Sequence, residues 1–204
     1  MTEIFFNRLR VILLDRDGVI NHEPGPILNP EQFVMIPGSA DAVARINSQG
    51  WKCFVITNQA AIARGDLNPD VFGQITDKMH RELQKSGAHI DGQYFCPHHP
   101  DWKNSRKLTS PVPCLCRKPG TQMLEQASSE HGFVQEEAVF IGDTTTDFAA
   151  AAEWGTCSIG VRTGCAGQDC KISVEPDYRS CLLYTSDAAD EALRVDLGGR
   201  RLSK

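Results

Sequence analysis

Short apolar runs alternate with stretches of helical periodicity along most of this chain, and that alternation limits the fold more than any other feature. Arg10–Asp15 (RVILLD), Lys52–Thr57 (KCFVIT), Gln93–Cys96, Ala138–Ile141 (AVFI) and Cys157–Val161 read as strands. They are too short for core helices. Ser39–Gln49 reads as a helix closed by Gly50, with Val43 and Ile46 on one face. Asn68 caps the next helix, Pro69 suits its first turn, and Gly87 ends it after Phe72, Ile75, Met79 and Leu83. A further helix is expected from Pro119 through Leu124 and Ala127, and another over the Ala-rich Thr144–Glu153. Strands separated by helices in this way predict an α/β domain built on a parallel sheet. No internal repeat or interdomain linker interrupts the pattern.

Charge and composition narrow the partners. The formal charge is −5 over 204 residues, so a global basic field for nucleic acid or anionic membrane is lacking. No apolar run approaches the ~20 residues that span a bilayer. Met1–Leu9 is too short and polar for a signal peptide. The expectation is a cytoplasmic monomer that acts on a small molecule, with no nucleic-acid and no membrane partner. In a reducing compartment the eight cysteines do not imply a disulfide framework. Cys53 and Cys157 fall in apolar runs and are expected in the core, while Cys165 and Cys170 lie in a Gly-rich stretch without an assigned role.

Polar residues cluster where the strands end, which is where open parallel sheets bind ligands. Asp15-Arg16-Asp17-Gly18 follows the first strand. Two carboxylates two residues apart can divide labour, with Asp15 as nucleophile and Asp17 handling the proton of the leaving group. Thr57, Asn58 and Gln59 end the second strand with groups able to bind phosphate oxygens. Arg117 and Lys118 precede a helix, where a cation and a helix N-terminus can meet an anion. Asp143 ends the fourth strand and can join Asp15 in binding a hard divalent cation. Each element alone has a bland reading as a cap or a turn. Four in succession, each at its own strand end, point to phosphoryl chemistry.

Cys96-Pro97-His98-His99-Pro100 and Cys114-Leu115-Cys116 bracket a polar insert. Three thiols and two imidazoles in an otherwise irregular loop suit tetrahedral Zn²⁺. The assigned ligands are Cys96, His98, Cys114 and Cys116, with His99 competing for the histidine position. Four protein ligands make the site structural. Zinc would staple the loop and place Arg117 and Lys118 beside the strand ends.

In their order, DRDGVIN, TNQ, RKP and GDTTTD resemble the four motifs of the haloacid dehalogenase superfamily of aspartate-nucleophile phosphatases, over roughly residues 8–178. The resemblance implies a Rossmann-like sheet of strand order 5-4-1-2-3 without a large cap domain. It implies that Asp15 forms an aspartyl-phosphate, that Asp17 serves as acid and then base, and that Thr57 and Lys118 hold the phosphoryl oxygens. It further implies Mg²⁺ held by the Asp15 carboxylate, the Asp17 backbone carbonyl and Asp143, with Asp147 supporting the Asp143 turn or the surroundings of the metal.

CPHHP, CLCRKP and TNQAAIARG are similar to segments of the D-glycero-D-manno-heptose-1,7-bisphosphate 7-phosphatases within that superfamily. That likeness implies removal of the 7-phosphate in nucleotide-heptose synthesis for lipopolysaccharide or surface glycans. Arg64 and Arg117 are candidates for gripping the second phosphate. Two features depart from the pattern: 17 residues separate Cys96 from Cys114, and Thr144 stands where those enzymes often carry Lys. Histidinol-phosphate phosphatase is the alternative activity, and a non-catalytic zinc-stapled binding module is the alternative of another class. Residues 181–204 resemble a translated reading frame of a transposase-type sequencing adapter. The expected organisation is therefore a phosphatase domain over 1–180 and a non-native tail over 181–204.

Overall fold

The computed structural model describes residues 8–99 and 114–180. The tail over 181–204, most of the insert and Met1–Asn7 lie outside them. Among the described residues the strands are β1 (Val11–Leu14), β2 (Lys52–Asn58), β3 (Gly92–Cys96), β4 (Ala138–Gly142), β5 (Cys157–Val161) and β6 (Tyr178–Ser180). The helices are α1 (Ser39–Ser48), α2 (Ala60–Arg64), α3 (Pro69–Lys85), α4 (Gln122–His131) and α5 (Thr145–Trp154). All strands pair in parallel, in the order β3-β2-β1-β4-β5-β6. This is the expected five-stranded order with one additional strand outside β5.

β1 is central and its four residues are buried. Successive side chains point to opposite faces, so one tetrapeptide feeds two cores. Ile12 and Leu14 pack with Val43 of α1 and with Phe72, Ile75, Met79 and Leu83 of α3. Val11 and Leu13 pack with Met123, Leu124 and Ala127 of α4 and with Ala150, Ala151 and Trp154 of α5. β2 divides in the same way, Cys53 and Val55 to one side and Phe54 and Ile56 to the other. Cys53 is fully buried and Cys157 half-buried, and the seven described cysteines are all free thiols.

Local chemistry sets the element ends. The Asn68 side chain accepts from the Asp70 N–H at 2.9 Å and so caps α3, as its sequence predicts. α4 starts at Gln122, later than expected from Pro119. Residues 117–120 form a turn instead, with Gly120 N–H donating to Arg117 O at 2.7 Å. Between β1 and α1 the chain makes isolated bridges, Asp17 with Asn21 and Asn21 with Met35, and a short 3-10 turn over Pro30–Gln32. No large cap domain occurs among the described residues, and none of their helices is long and apolar enough to cross a membrane.

Candidate active site

β1 has β2 on one side and β4 on the other, so chain connections depart in opposite directions from its carboxyl end. Such a switch point opens a crevice above the strands. Asp15 lies directly beyond β1 and Asp143 directly beyond β4, and the Asp15 N–H donates to Ile141 O at 2.9 Å, which fixes the two strand ends side by side. Asp15, Asp143 and Asp147 each offer a carboxylate oxygen, and these atoms lie within 4.8 Å of one another. All three residues are buried.

Lys118 reaches this cluster from the loop before α4. Its Nζ lies 2.9 Å from Asp15 Oδ1 and 2.6 Å from Asp147 Oδ1, and donates to Ile56 O at 2.8 Å. Burial disfavours the Lys118 charge, but Asp147 and Asp15 more than compensate and hold its ammonium above the usual range. Its peptide is pinned as well. Asn58 Nδ2 donates to Lys118 O at 3.2 Å, and Lys118 N–H donates to Asn58 Oδ1 at 3.0 Å. Asp147 divides its carboxylate, with Oδ1 on Lys118 and Oδ2 accepting from Thr144 N–H at 3.0 Å and Thr144 Oγ1 at 2.7 Å. One side chain thereby caps α5 and orients the lysine.

Asp143 is shaped for a cation. Its Oδ2 accepts from the Cys165 N–H at 2.6 Å, whereas its buried Oδ1 accepts no hydrogen bond. A buried carboxylate oxygen without a donor is costly unless something positive faces it. The carboxylate is sandwiched between two glycines. A Cβ on Gly18 would come within 2.4 Å of Asp143 Oδ2, and one on Gly164 within 2.1 Å, both at positive φ. Burial, followed by the nearby Asp147 charge, pushes Asp143 up to about 7. Burial and neighbouring carboxylates also push Asp15 well up, against the opposing pull of Lys118. Asp15, Asp17, Asp143 and Asp147 are four carboxylates facing two buried cations, Arg16 and Lys118. The surplus of carboxyl groups over cations and the hard oxygen donors fit a divalent ion such as Mg²⁺.

Asp17 sits beside the cluster. Arg16 Nη2 meets its Oδ2 at 2.8 Å and Arg16 Nε its Oδ1 at 3.1 Å. Asn21 Nδ2 donates to Oδ1 at 2.9 Å and Gln59 Nε2 to Oδ2 at 2.8 Å. Burial works against ionisation here, but the Arg16 charge and these hydrogen bonds outweigh it and hold Asp17 low. Gln59 Nε2 also reaches Thr57 Oγ1 at 3.0 Å, so Thr57, Gln59 and Asp17 form one connected row. Arg64 ends α2 in an ion pair with Asp66 at 2.7 Å. Arg117 Nη1 donates to His98 O at 3.2 Å.

The second cluster is a Cys/His group in the loop after β3. Cys96, His98, Cys114 and Cys116 bring their ligand atoms within 4.8 Å, and His99 is not part of the group. Cys96 Sγ is 3.5 Å from Cys114 Sγ and 3.6 Å from His98 Nδ1, and Cys116 Sγ is 3.3 Å from His98 Nδ1. Tetrahedral zinc with ordinary sulfur and nitrogen bond lengths gives ligand–ligand edges of roughly 3.5–3.8 Å, close to these values. The set therefore fits Zn²⁺ bound through His98 Nδ1. This group also touches the active-site strand end, because Gln59 N–H donates to Cys96 O at 2.7 Å and Ala63 N–H to Pro97 O at 3.1 Å.

The HAD-hydrolase-like family profile matches residues 115–181. The D-glycero-β-D-manno-heptose-1,7-bisphosphate 7-phosphatase of Bordetella bronchiseptica is 33% identical over 157 residues, which span 76% of this chain and 82% of that protein. The enzyme of the same name from Photorhabdus laumondii is 37% identical over 75% of this chain and 80% of its own length. The chain belongs to the haloacid dehalogenase-like phosphatases. A D,D-heptose 1,7-bisphosphate phosphatase of B. bronchiseptica, solved with magnesium and phosphate, superposes with a TM-score of 0.79 at 30% identity. It covers 91% of this chain, and this chain covers 99% of it.

Within this family fold, three features of the site escaped the sequence reading. Arg16 is paired to its neighbour Asp17, Asp147 is tied to Lys118, and the Gly164–Cys165 backbone holds Asp143. The glycines of the 164–167 stretch were the one visible signal for the last of these.

Proposed function

We propose that this phosphatase removes the 7-phosphate of D-glycero-β-D-manno-heptose 1,7-bisphosphate in nucleotide-heptose synthesis for lipopolysaccharide or surface glycans. The observation that carries this is the buried Asp15–Lys118–Asp143 constellation in a chain whose relatives bear that activity by name. Histidinol phosphate gains no support from those relatives. An intact set of four carboxylates and two cations argues against a purely binding role.

In this reading an Asp15 carboxylate oxygen attacks phosphorus, the bond from phosphorus to the sugar oxygen breaks, and that oxygen takes a proton from Asp17. Asp17 then takes a proton from water as the water oxygen attacks phosphorus, which frees phosphate and restores Asp15. The arriving phosphate places negative charge beside Asp17, which raises its affinity for the proton it must donate. Lys118 screens the repulsion between a carboxylate and an anionic phosphoryl group. Thr57, with Asn58 and Gln59, lines the phosphoryl position, although the Asn58 and Gln59 amides also brace Lys118 and Asp17. Asp15, the Asp17 carbonyl and Asp143 would hold Mg²⁺, which when bound supplies positive charge to the phosphoryl oxygens.

Cys96, His98, Cys114 and Cys116 hold structural zinc in the same reading, and Arg117 and Arg64 face the second phosphate. The protein acts as a cytoplasmic monomer on a small phosphorylated sugar. Phosphate release measured side by side on both heptose bisphosphate anomers and on histidinol phosphate tests the assignment. Faster turnover of histidinol phosphate would overturn it.

A further inference from the structure

Arg16 has no part in the reaction as written, yet it is the largest fully buried side chain among the described residues. Burying a guanidinium costs several kcal/mol unless its charge is met. The turn is built to place it. Ile20 N–H and Asn21 N–H both donate to Arg16 O, at 2.8 and 3.2 Å, so the chain folds back over this residue. The guanidinium lies 5.6 Å from the centre of the Phe72 ring, which in turn packs on Phe95 at 4.6 Å. From that apolar seat Nε and Nη2 form a fork on the Asp17 carboxylate. Asn21, itself fully buried, adds a donor to Oδ1, and Gln59 adds one to Oδ2. Both oxygens are thus held from two directions, and the plane of the carboxylate is fixed.

We propose that Arg16 is a positioning residue that sets the Asp17 carboxylate for proton transfer to the leaving alcohol and from the attacking water. The inference rests on the reading of Asp17 as general acid and base. The fork is directional, and a lysine keeps the charge while losing the plane. Phe72, which is buried, backs the guanidinium on one face and packs in turn on Phe95.

The test compares leaving groups. The substrates are the heptose bisphosphate, whose alcohol needs a proton, and 2,4-dinitrophenyl phosphate, whose phenolate does not. The burst of dinitrophenolate isolates the first step. For Arg16→Lys the expected result is a fall in kcat of about 100-fold on the sugar, with KM nearly unchanged and the burst rate within about threefold of the parent. Gln59→Leu, which leaves the buried cation paired, is expected to show a several-fold loss of the same selectivity. Adding Arg16→Lys to Asp17→Asn should cause no further loss. Equal losses on both esters, additive losses in the double variant, or full activity of both single variants would overturn the proposal. Full activity of Asp17→Asn on the sugar would overturn the underlying reading instead.

Discussion

Replacing Gly164 by alanine isolates the close contact that shapes Asp143. A Cβ at this position would lie 2.1 Å from Asp143 Oδ2 and 2.8 Å from the Gly18 Cα, so backbone must move. The left-handed φ of +60° adds strain of about 1–2 kcal/mol for alanine. Gly50→Ala supplies the control, because its φ is +74° and nothing lies within 4 Å. The difference between the two variants is then the overpacking, about 1–3 kcal/mol. That corresponds to roughly 3–10 °C in Tm for a domain of this size. The second consequence is local. Displacing Oδ2 breaks its charge-assisted hydrogen bond from Cys165 N–H, worth about 1.5–3 kcal/mol, so Mg²⁺ affinity should fall about 10- to 100-fold. Thermal unfolding without divalent ions, followed by calorimetric Mg²⁺ titration of both variants, measures the two effects separately. Equal melting shifts for Gly164→Ala and Gly50→Ala, or an unchanged Mg²⁺ affinity, would refute the reasoning.

Asp143 carries a proton below about pH 7 in the protein without a cation, whereas a cation binds the ionised carboxylate. Mg²⁺ affinity should therefore rise by at least about tenfold per pH unit up to about 7, because the raised Asp15 carboxyl must also give up its proton to the ion, with proton release seen by calorimetry in two buffers. A flat profile from about pH 5.5 to 7.5 would contradict this. Cys116→Ser should lower bound zinc to well under one equivalent and reduce kcat by loosening the Arg117–Lys118 turn, with metal content and activity measured on the same sample. Unbroken genomic reads through codon 204 would show that residues 181–204 are native.

The sheet was legible because its signal is local. Each buried strand is a short apolar run, and the acids that follow β1 and β4 mark their carboxyl ends. The grouping of Cys96, His98, Cys114 and Cys116 was legible from spacing alone. β6 was not, since Tyr178–Ser180 is only three residues of mixed burial and gains its identity from pairing with β5. Asn58 and Gln59 were expected to serve phosphate, but an amide both donates and accepts, and sequence does not say which partner claims it. In the fold they also hold Lys118 and Asp17. Arg64 shows the same ambiguity, paired with an acid two residues away. Asp147 was expected to support the Asp143 turn or the surroundings of the metal, and no local pattern revealed that its outer oxygen reaches a lysine 29 positions earlier in the chain.

Cys96 and Cys114 meet with their sulfurs 3.5 Å apart, so the chain leaves the sheet and returns to it at nearly one point. Closing a loop at one point makes its length cheap, since doubling it costs only about 0.6 kcal/mol. A metal held by these sulfurs would tie the end of β3 to the turn that carries Lys118, whatever the length of chain between the two cysteines.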